Sequence, residues 1–378
     1  MDSKDFFKHI ETQFDNQLPF VAYRKPNEVE VKAILQNDDA IYKTSNFIEQ
    51  GFVFSPFENI DDTVLTPLNI SESISCNAVS LSAVEVSHNN EILKQSRKFS
   101  GQNDKQKHIN LVEKGVEAIK NGTFKKVVLS RQEVVNISEN NLISILKNLL
   151  NTYASAFVYC WYHPKIGLWL GATPETLIKI EGNRFSIMAL AGTQDYKGTL
   201  EVNWQQKEKV EQQVVTDFII ENLESLVENV KVSKTETVKA GNLLHLKTNI
   251  TAQLKSNLNL NEIITALHPT PAVCGYPKEV ARQFILKNET YNREFYTGFL
   301  GELNFETTIA PRASKRNIEN RAYTVKRKST QLYVNLRCMQ IKENNAIIYV
   351  GGGITESSNP ESEWEETVSK SLVIKNVL

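Results

Sequence analysis

Apolar and polar positions alternate along this chain with two different periods, and the period switches often. Phe6, Phe7, Ile10 and Phe14 are spaced for one face of a short helix. Residues 19–35 and 40–54 then alternate in strand fashion, with Asn37, Asp38 and Asp39 as punctuation between them. A polar stretch, 84–106, predicts a loop leading into a helix over 108–121, where Ile109, Val112, Val116 and Ile119 share a face and Asn121-Gly122 supplies the stop. Strands follow at 124–131, 156–162 and 167–171, with a helix at 142–151 and a hairpin over 177–188 that turns at Glu181-Gly182-Asn183. The longest helical pattern covers 203–230, with Val210, Val214, Phe218, Leu223 and Leu226 along its apolar side. Short helices are expected at 260–267 and 278–286. A second hairpin joins 332–339 to 346–350 around a 342–345 turn, and a last helix opens at Ser358-Asn359-Pro360-Glu361. Hairpins interspersed with helices, without regular βαβ alternation, predict an α+β fold of antiparallel sheets flanked by helices.

Composition narrows the classes of function. The 378 residues are 41% hydrophobic, enough for a sizeable core. Lys+Arg 43 against Asp+Glu 44 leaves a net charge of −1, so no global field recruits nucleic acid or an anionic membrane. The basic stretch 311–328 therefore reads as a solvated excursion, with a nucleic-acid or partner-binding module as the competing interpretation. No run approaches the roughly 20 apolar residues of a membrane span, and residues 1–20 carry no apolar targeting core, which predicts a cytoplasmic protein. Cys76, Cys160, Cys274 and Cys338 stand far apart and the six histidines form no H-x-x-x-H pair, arguing for reduced thiols and against zinc.

Candidate chemistry concentrates in a few places. Arg337 interrupts an apolar strand, Gly351, Gly352 and Gly353 let backbone approach a ligand, and Glu363 and Glu366 share a helix face. Glu208 and Glu211 repeat that i,i+3 pair on another helix, and a hard cation needs oxygens from several elements. Simpler explanations exist: Glu366 can pair with Lys370, and Ser358-x-x-Glu361 can form a capping box. Alternation puts Lys125 and Lys126 on opposite faces of their strand, so one can point inward, where a lysine that sheds its proton is a usable base. Glu175 lies in a tight turn between strands, and the small residues of Ala189-Leu190-Ala191-Gly192-Thr193 leave room beside the backbone.

In this order the pieces resemble the chorismate-utilising enzymes: isochorismate, salicylate, anthranilate and aminodeoxychorismate synthases. The matching motifs are Lys126-Val-Val-Leu-Ser-Arg131, Gly171-Ala-Thr-Pro-Glu175, Leu190-Ala-Gly-Thr193, Lys207-Glu-x-x-Glu211 and His268-Pro-Thr-Pro-Ala-Val-x-Gly275. Arg337, Gly351-x-Gly-Ile354 and Glu363-Trp-x-Glu366-x-x-x-Lys370 complete the set. They span residues 105–378, with 1–104 as a β-rich scaffold of the same fold. Lys126 stands where ammonia-using members carry glutamine, and Ala191 where aminodeoxychorismate synthases carry a nucleophilic lysine, so the set is most similar to the isochorismate synthase branch. Cys274 departs from the usual small residue, and a positive φ there would strain it.

The resemblance implies a large α+β fold around a central cleft and a monomer acting on chorismate, with no nucleic-acid or membrane partner. It implies a Mg²⁺-dependent isomerase making isochorismate for menaquinone or siderophore formation, with a salicylate synthase as the alternative. Lys126 is then the base that activates water and Glu175 the acid that protonates the departing hydroxyl. Glu211 and Glu366 would ligate the metal, Glu208 and Glu363 would support it, and Gly192, Thr193, His268, Arg337, Gly351 and Lys370 would hold substrate.

Overall fold

The computed structural model describes residues 1–77, 102–137, 142–241, 243–256, 258–309 and 325–378. Their strands pair antiparallel into two large sheets. The first runs in the order Gly275–Tyr276, Lys126–Asn136, Asn345–Ile354, Cys338–Lys342, Gly167–Thr173, Phe157–His163, Phe20–Arg24, Glu30–Gln36, Ser71–Asn77. The second runs Val227–Val232, Leu243–Leu254, Arg184–Asp195, Thr176–Glu181, Val325–Val334, Phe299–Ile309, Gly51–Ser55, Val64–Pro67, Tyr42–Lys43, and Glu236–Ala240 also pairs with Leu243–Leu254. Strands from before residue 78 thus extend both sheets.

The alternation read from the sequence decides which side chains meet. In Phe20–Arg24, Val21 and Tyr23 face the second sheet while Phe20 and Ala22 face a helical layer. Between the sheets lies an aromatic stratum that includes Phe52, Phe54, Phe157, Trp161, Trp169 and Tyr333. The Phe157 and Tyr333 rings, one from each sheet, stack at 4.1 Å. Full burial of each such ring stabilises the sandwich by about 1.5–3 kcal/mol before the entropy of ordering is counted. Helices Ser3–Asp15 and Leu142–Thr152 cover the outer face of the first sheet, and Gln206–Leu223 and Leu260–Leu267 cover that of the second. Gln102–Lys120 and Lys278–Asn288 pack around the strand Lys126–Asn136.

Three sequence expectations change. The 203–230 helix ends at Leu223, and 227–232 pair as a strand; its buried positions are Gln212, Val215, Thr216, Phe218, Ile219 and Leu223, while Val210 is exposed. The expected apolar side is displaced because polar Gln212 is drawn inward, donating to the Ala189 carbonyl at 3.0 Å and Thr248 Oγ1 at 3.1 Å. The supposed strand 332–339 is two strands in different sheets, with residues 335–337 crossing between them. Helix Gln102–Lys120 starts earlier than expected, and residues 84–101 of the 84–106 stretch lie outside the described residues. The 311–328 excursion lies outside them too, apart from 325–328, which belong to Val325–Val334.

Candidate active site

Two of the points at which the chain crosses from one sheet to the other are neighbours, and each of these two carries a charged residue. Pro174 and Glu175 join Gly167–Thr173 to Thr176–Glu181; residues 335–337 join Val325–Val334 to Cys338–Lys342. The two crossings are tied together, the Val334 N–H donating to the Glu175 carbonyl at 3.0 Å and the Ala172 N–H to the Arg337 carbonyl at 3.1 Å. Arg337 has φ +48°, a left-handed conformation that a non-glycine residue adopts at some energetic cost. Turning out of one sheet and into the other is what imposes it. A bulge between Ala191 and Gln194 sets two residues, Gly192 at φ +71° and Thr193, opposite His245 alone.

These elements enclose a cleft of about 690 Å³, counting its open mouth, a size that suits a small ligand. Its walls include Glu175, Gly192, Thr193, Glu211, His245, Arg337, Gly351 and Lys370. Glu175 is 3% exposed, and burial pushes its carboxyl up to about 8 against the pull of Lys126, Arg337 and Lys370. It is therefore mostly protonated at pH 7. Of the lysine pair, Lys125 is exposed and Lys126 is 1% exposed, pointing inward to meet Glu211 Oε1 at 3.0 Å. Burial works to raise the Glu211 carboxyl, but the Lys126 and Lys207 charges and the Lys126 contact outweigh it and hold it below the usual range.

Arg337 is buried enough that its guanidinium is lowered to about 10. Nη1 donates to the Ala240 carbonyl at 2.9 Å and Nη2 to His245 Nε2 at 2.6 Å. Among the described residues no carboxylate lies within ion-pairing distance of it, so a half-buried cation faces the cleft without a counter-charge. His245 Nδ1 lies 2.8 Å from the Gly192 carbonyl; a ring whose Nε2 faces a guanidinium must accept there and donate from Nδ1, which fixes the tautomer. Burial first, then the Arg337 and Lys370 charges, holds this imidazole well below its usual range, so it is neutral. His245 gave no signal in its strand-like segment, since its role depends on two partners distant in sequence.

Lys126, Glu208, Glu363 and Glu366, expected at the site, are not among the lining residues, although Lys126 meets the wall residue Glu211 and Glu366 the wall residue Lys370; nor is His268. Its ring packs edge-on against Phe299 at 5.0 Å, and burial lowers it to about 3. Cys274, buried with Val127 and Ala281, does not have positive φ, so the anticipated strain is absent.

Glu211, Glu363 and Glu366 all reach the glycine-rich strand Asn345–Ile354, while Glu208 packs its Cβ against Gly192. The C-terminal helix is capped by Asn359, which accepts from the Ser362 N–H at 3.0 Å, while Ser358 Oγ accepts from the Thr355 N–H instead of forming a capping box. A Cβ on Gly352 would lie 3.4 Å from both Glu363 Oε2 and Glu366 Oε1, and one on Gly353 only 2.2 Å from Glu211 Oε1. Glycine at 353 is what allows the strand to pass the Glu211 carboxylate. Lys370 pairs with Glu366 at 2.7 Å and donates to the Gly351 carbonyl at 2.9 Å; Lys207 pairs closely with Glu363. Glu208 Oε2 and Glu363 Oε2 are buried without a hydrogen-bond partner. Burial and then the neighbouring Glu366 charge raise the Glu363 carboxyl against the pull of Lys207. Among the described residues no three such side chains converge as a ready-made metal cage. Mg²⁺ does not need one, because it keeps waters and takes one or two carboxylates plus ligand oxygens. The unsatisfied Glu363 Oε2, with Glu366 Oε1 beside it at Gly352, fits such an ion.

A protonated buried acid, an uncompensated guanidinium, Lys370 and the Glu211 carboxylate line one cleft, with Lys126 paired to Glu211 and Glu366 to Lys370, and together define an enzyme-type site for a small anionic ligand. Family models described as chorismate binding enzyme match residues 61–309 and 322–376. The chain belongs to the chorismate binding enzyme family. It is 27% identical over 276 residues to the isochorismate synthase MenF of Pasteurella multocida, covering 71% of this chain and 60% of that one. With the isochorismate synthase EntC of Escherichia coli it is 28% identical over 264 residues, 67% of this chain and 62% of that one. The matches thus span about three fifths of these curated relatives. A solved structure, the menaquinone-specific isochorismate synthase MenF of Escherichia coli, shares the fold at a TM-score of 0.72 and 19% identity, covering 95% of this chain and 88% of that one.

Proposed function

We propose that this chain is an isochorismate synthase, converting chorismate to isochorismate. The observation that carries the reading is Glu175, a fully buried carboxyl held protonated near neutral pH beside Lys126 and Arg337. Moving a hydroxyl from C4 of the ring to C2 requires a proton to be given at one carbon and taken at another, and a neutral carboxyl in a cleft of cations suits the first task.

The uncompensated Arg337 guanidinium receives one of the two chorismate carboxylates, with His245 and the Ala240 carbonyl fixing its orientation from behind. Lys370 and the backbone at Gly192 and Gly351 bound the same space. Glu211 and Glu366 would ligate Mg²⁺, with Glu208 and Glu363 in support, and the bound ion would neutralise substrate carboxylate charge beside these acids. Lys126, once released from Glu211 and deprotonated, takes a proton from water as its oxygen bonds to C2. The ring double bonds shift, the C4–O bond breaks, and Glu175 gives its proton to the leaving hydroxyl, which departs as water. The proton on Lys126 returns to Glu175 through solvent, so the reaction is a net isomerisation. Each of the two roles contributes about 10²–10⁴-fold.

Among the described residues no wall residue precedes Val128, which supports residues 1–104 as scaffold and 105–378 as the catalytic region. Incubating the protein with chorismate and Mg²⁺ and resolving the products tests the reading. Isochorismate is expected; salicylate with pyruvate would make it a salicylate synthase, and no turnover would overturn the enzymatic assignment.

A further inference from the structure

The strand that carries Lys126 ends its motif at Arg131, a residue the chemistry above does not use. Five residues on, it points to the opposite face, away from the cleft and toward the C-terminal helix Pro360–Lys375. There Nε donates to Thr367 Oγ1 at 2.8 Å, and the guanidinium lies 4.3 Å from the centre of the Trp364 ring. Nη1 pairs with Glu133 at 3.1 Å, and Glu133 pairs closely with Lys375 at the end of the same helix. His108, buried on Gln102–Lys120, packs against Trp364 at 5.9 Å. Thr367 also donates to the Trp364 carbonyl at 2.7 Å, so the clamp and the helix backbone are directly coupled.

The contacts fall at telling positions. Trp364 follows Glu363 and Thr367 follows Glu366, so Arg131 grips the chain neighbours of both carboxylates that face Gly352. The base and this clamp sit on one strand, and the two carboxylates sit on the clamped helix. We propose that Arg131 is a positioning residue that sets Glu363 and Glu366 in register with Lys126 and Glu211, and so determines how tightly the site binds its divalent cation. The proposal rests on the metal reading of those glutamates.

The test is calorimetric titration of Mg²⁺ into chorismate-free protein, with turnover followed against Mg²⁺ concentration. The proteins are wild type, Arg131→Met, Arg131→Lys and Thr367→Val. Arg131→Met keeps the aliphatic stem on Trp364 and removes the fork. Its Mg²⁺ affinity should fall by about 10–100-fold, the range for partners that orient metal ligands, while kcat at saturating Mg²⁺ stays within about threefold. Arg131→Lys, keeping charge toward Glu133, should recover part of the loss, and Thr367→Val should weaken binding by about threefold. If Arg131→Met does not fold, Thr367→Val and Arg131→Lys carry the test alone. A lowered Tm with unchanged Mg²⁺ affinity in folded variants overturns the positioning role and leaves the metal assignment standing. A wild-type protein that binds no Mg²⁺ overturns both.

Discussion

Glu175→Gln separates the chemistry of the cleft from its stability, because the substitution keeps shape and burial but abolishes titration. The carboxyl stands at 4.5 when unperturbed and at about 8 in the folded protein. Because the folded value is the higher one, the folded state holds a proton that the unfolded chain releases, so stability falls as pH rises from about 4.5 to about 8 and is level beyond. At pH 7 the interval is about 2.5 units, and at about 1.4 kcal/mol per unit the acid destabilises the fold by at most about 3.5 kcal/mol relative to a non-titrating isostere. Glu175→Gln should thus match wild type in urea denaturation at pH 4.5 and exceed it increasingly toward pH 8. Its kcat should fall by about 10²–10⁴-fold, whereas wild-type kcat should decline as pH rises through about 8 and the acid is lost. A stability difference that does not change with pH would show that Glu175 is ionised in the folded state, and the acid role would fall with it.

Other substitutions follow from the same geometry. Lys126→Ala should lose about 10²–10⁴-fold in kcat, the double variant with Glu175→Gln should be little worse than either alone, and Lys125→Ala should be near wild type in steady-state assays. Arg337→Ala should reduce kcat/KM by about 10²-fold, and His245→Phe should reproduce part of that loss by freeing the guanidinium, with kcat/KM for chorismate as the readout. EDTA should abolish turnover and Mg²⁺ restore it. Gly353→Ala, which drives a Cβ into Glu211, should raise the Mg²⁺ needed for half-maximal rate by about tenfold.

Much of this site was legible because its residues break local rules. Strand alternation forces one of Lys125 and Lys126 inward, and Glu175 stands in a turn too short for the helix its Thr-Pro-Glu spelling suggests. The i,i+3 glutamate pairs were readable only as shared helix faces, because helical spacing does not show what a face meets. What periodicity does not encode is which sheet a segment joins. The run 332–339 reads as one strand because both halves are apolar, yet the chain turns out of one sheet and into the other at Arg337, and that turn is what aims the guanidinium at the cleft. The same blindness to tertiary contact explains why His245 went unnoticed and why His268, in a motif-like segment, turned out to be packed on Phe299.

The central claim is that water enters at C2 while the C4 hydroxyl leaves, driven by Lys126 and Glu175 from separate elements. Running the reaction in H₂¹⁸O and analysing the product by mass spectrometry tests this directly. The account predicts isochorismate carrying ¹⁸O at its C2 hydroxyl, with label lost when Lys126→Ala fails to turn over. Unlabelled isochorismate, formed by internal transfer of the original hydroxyl, would contradict it.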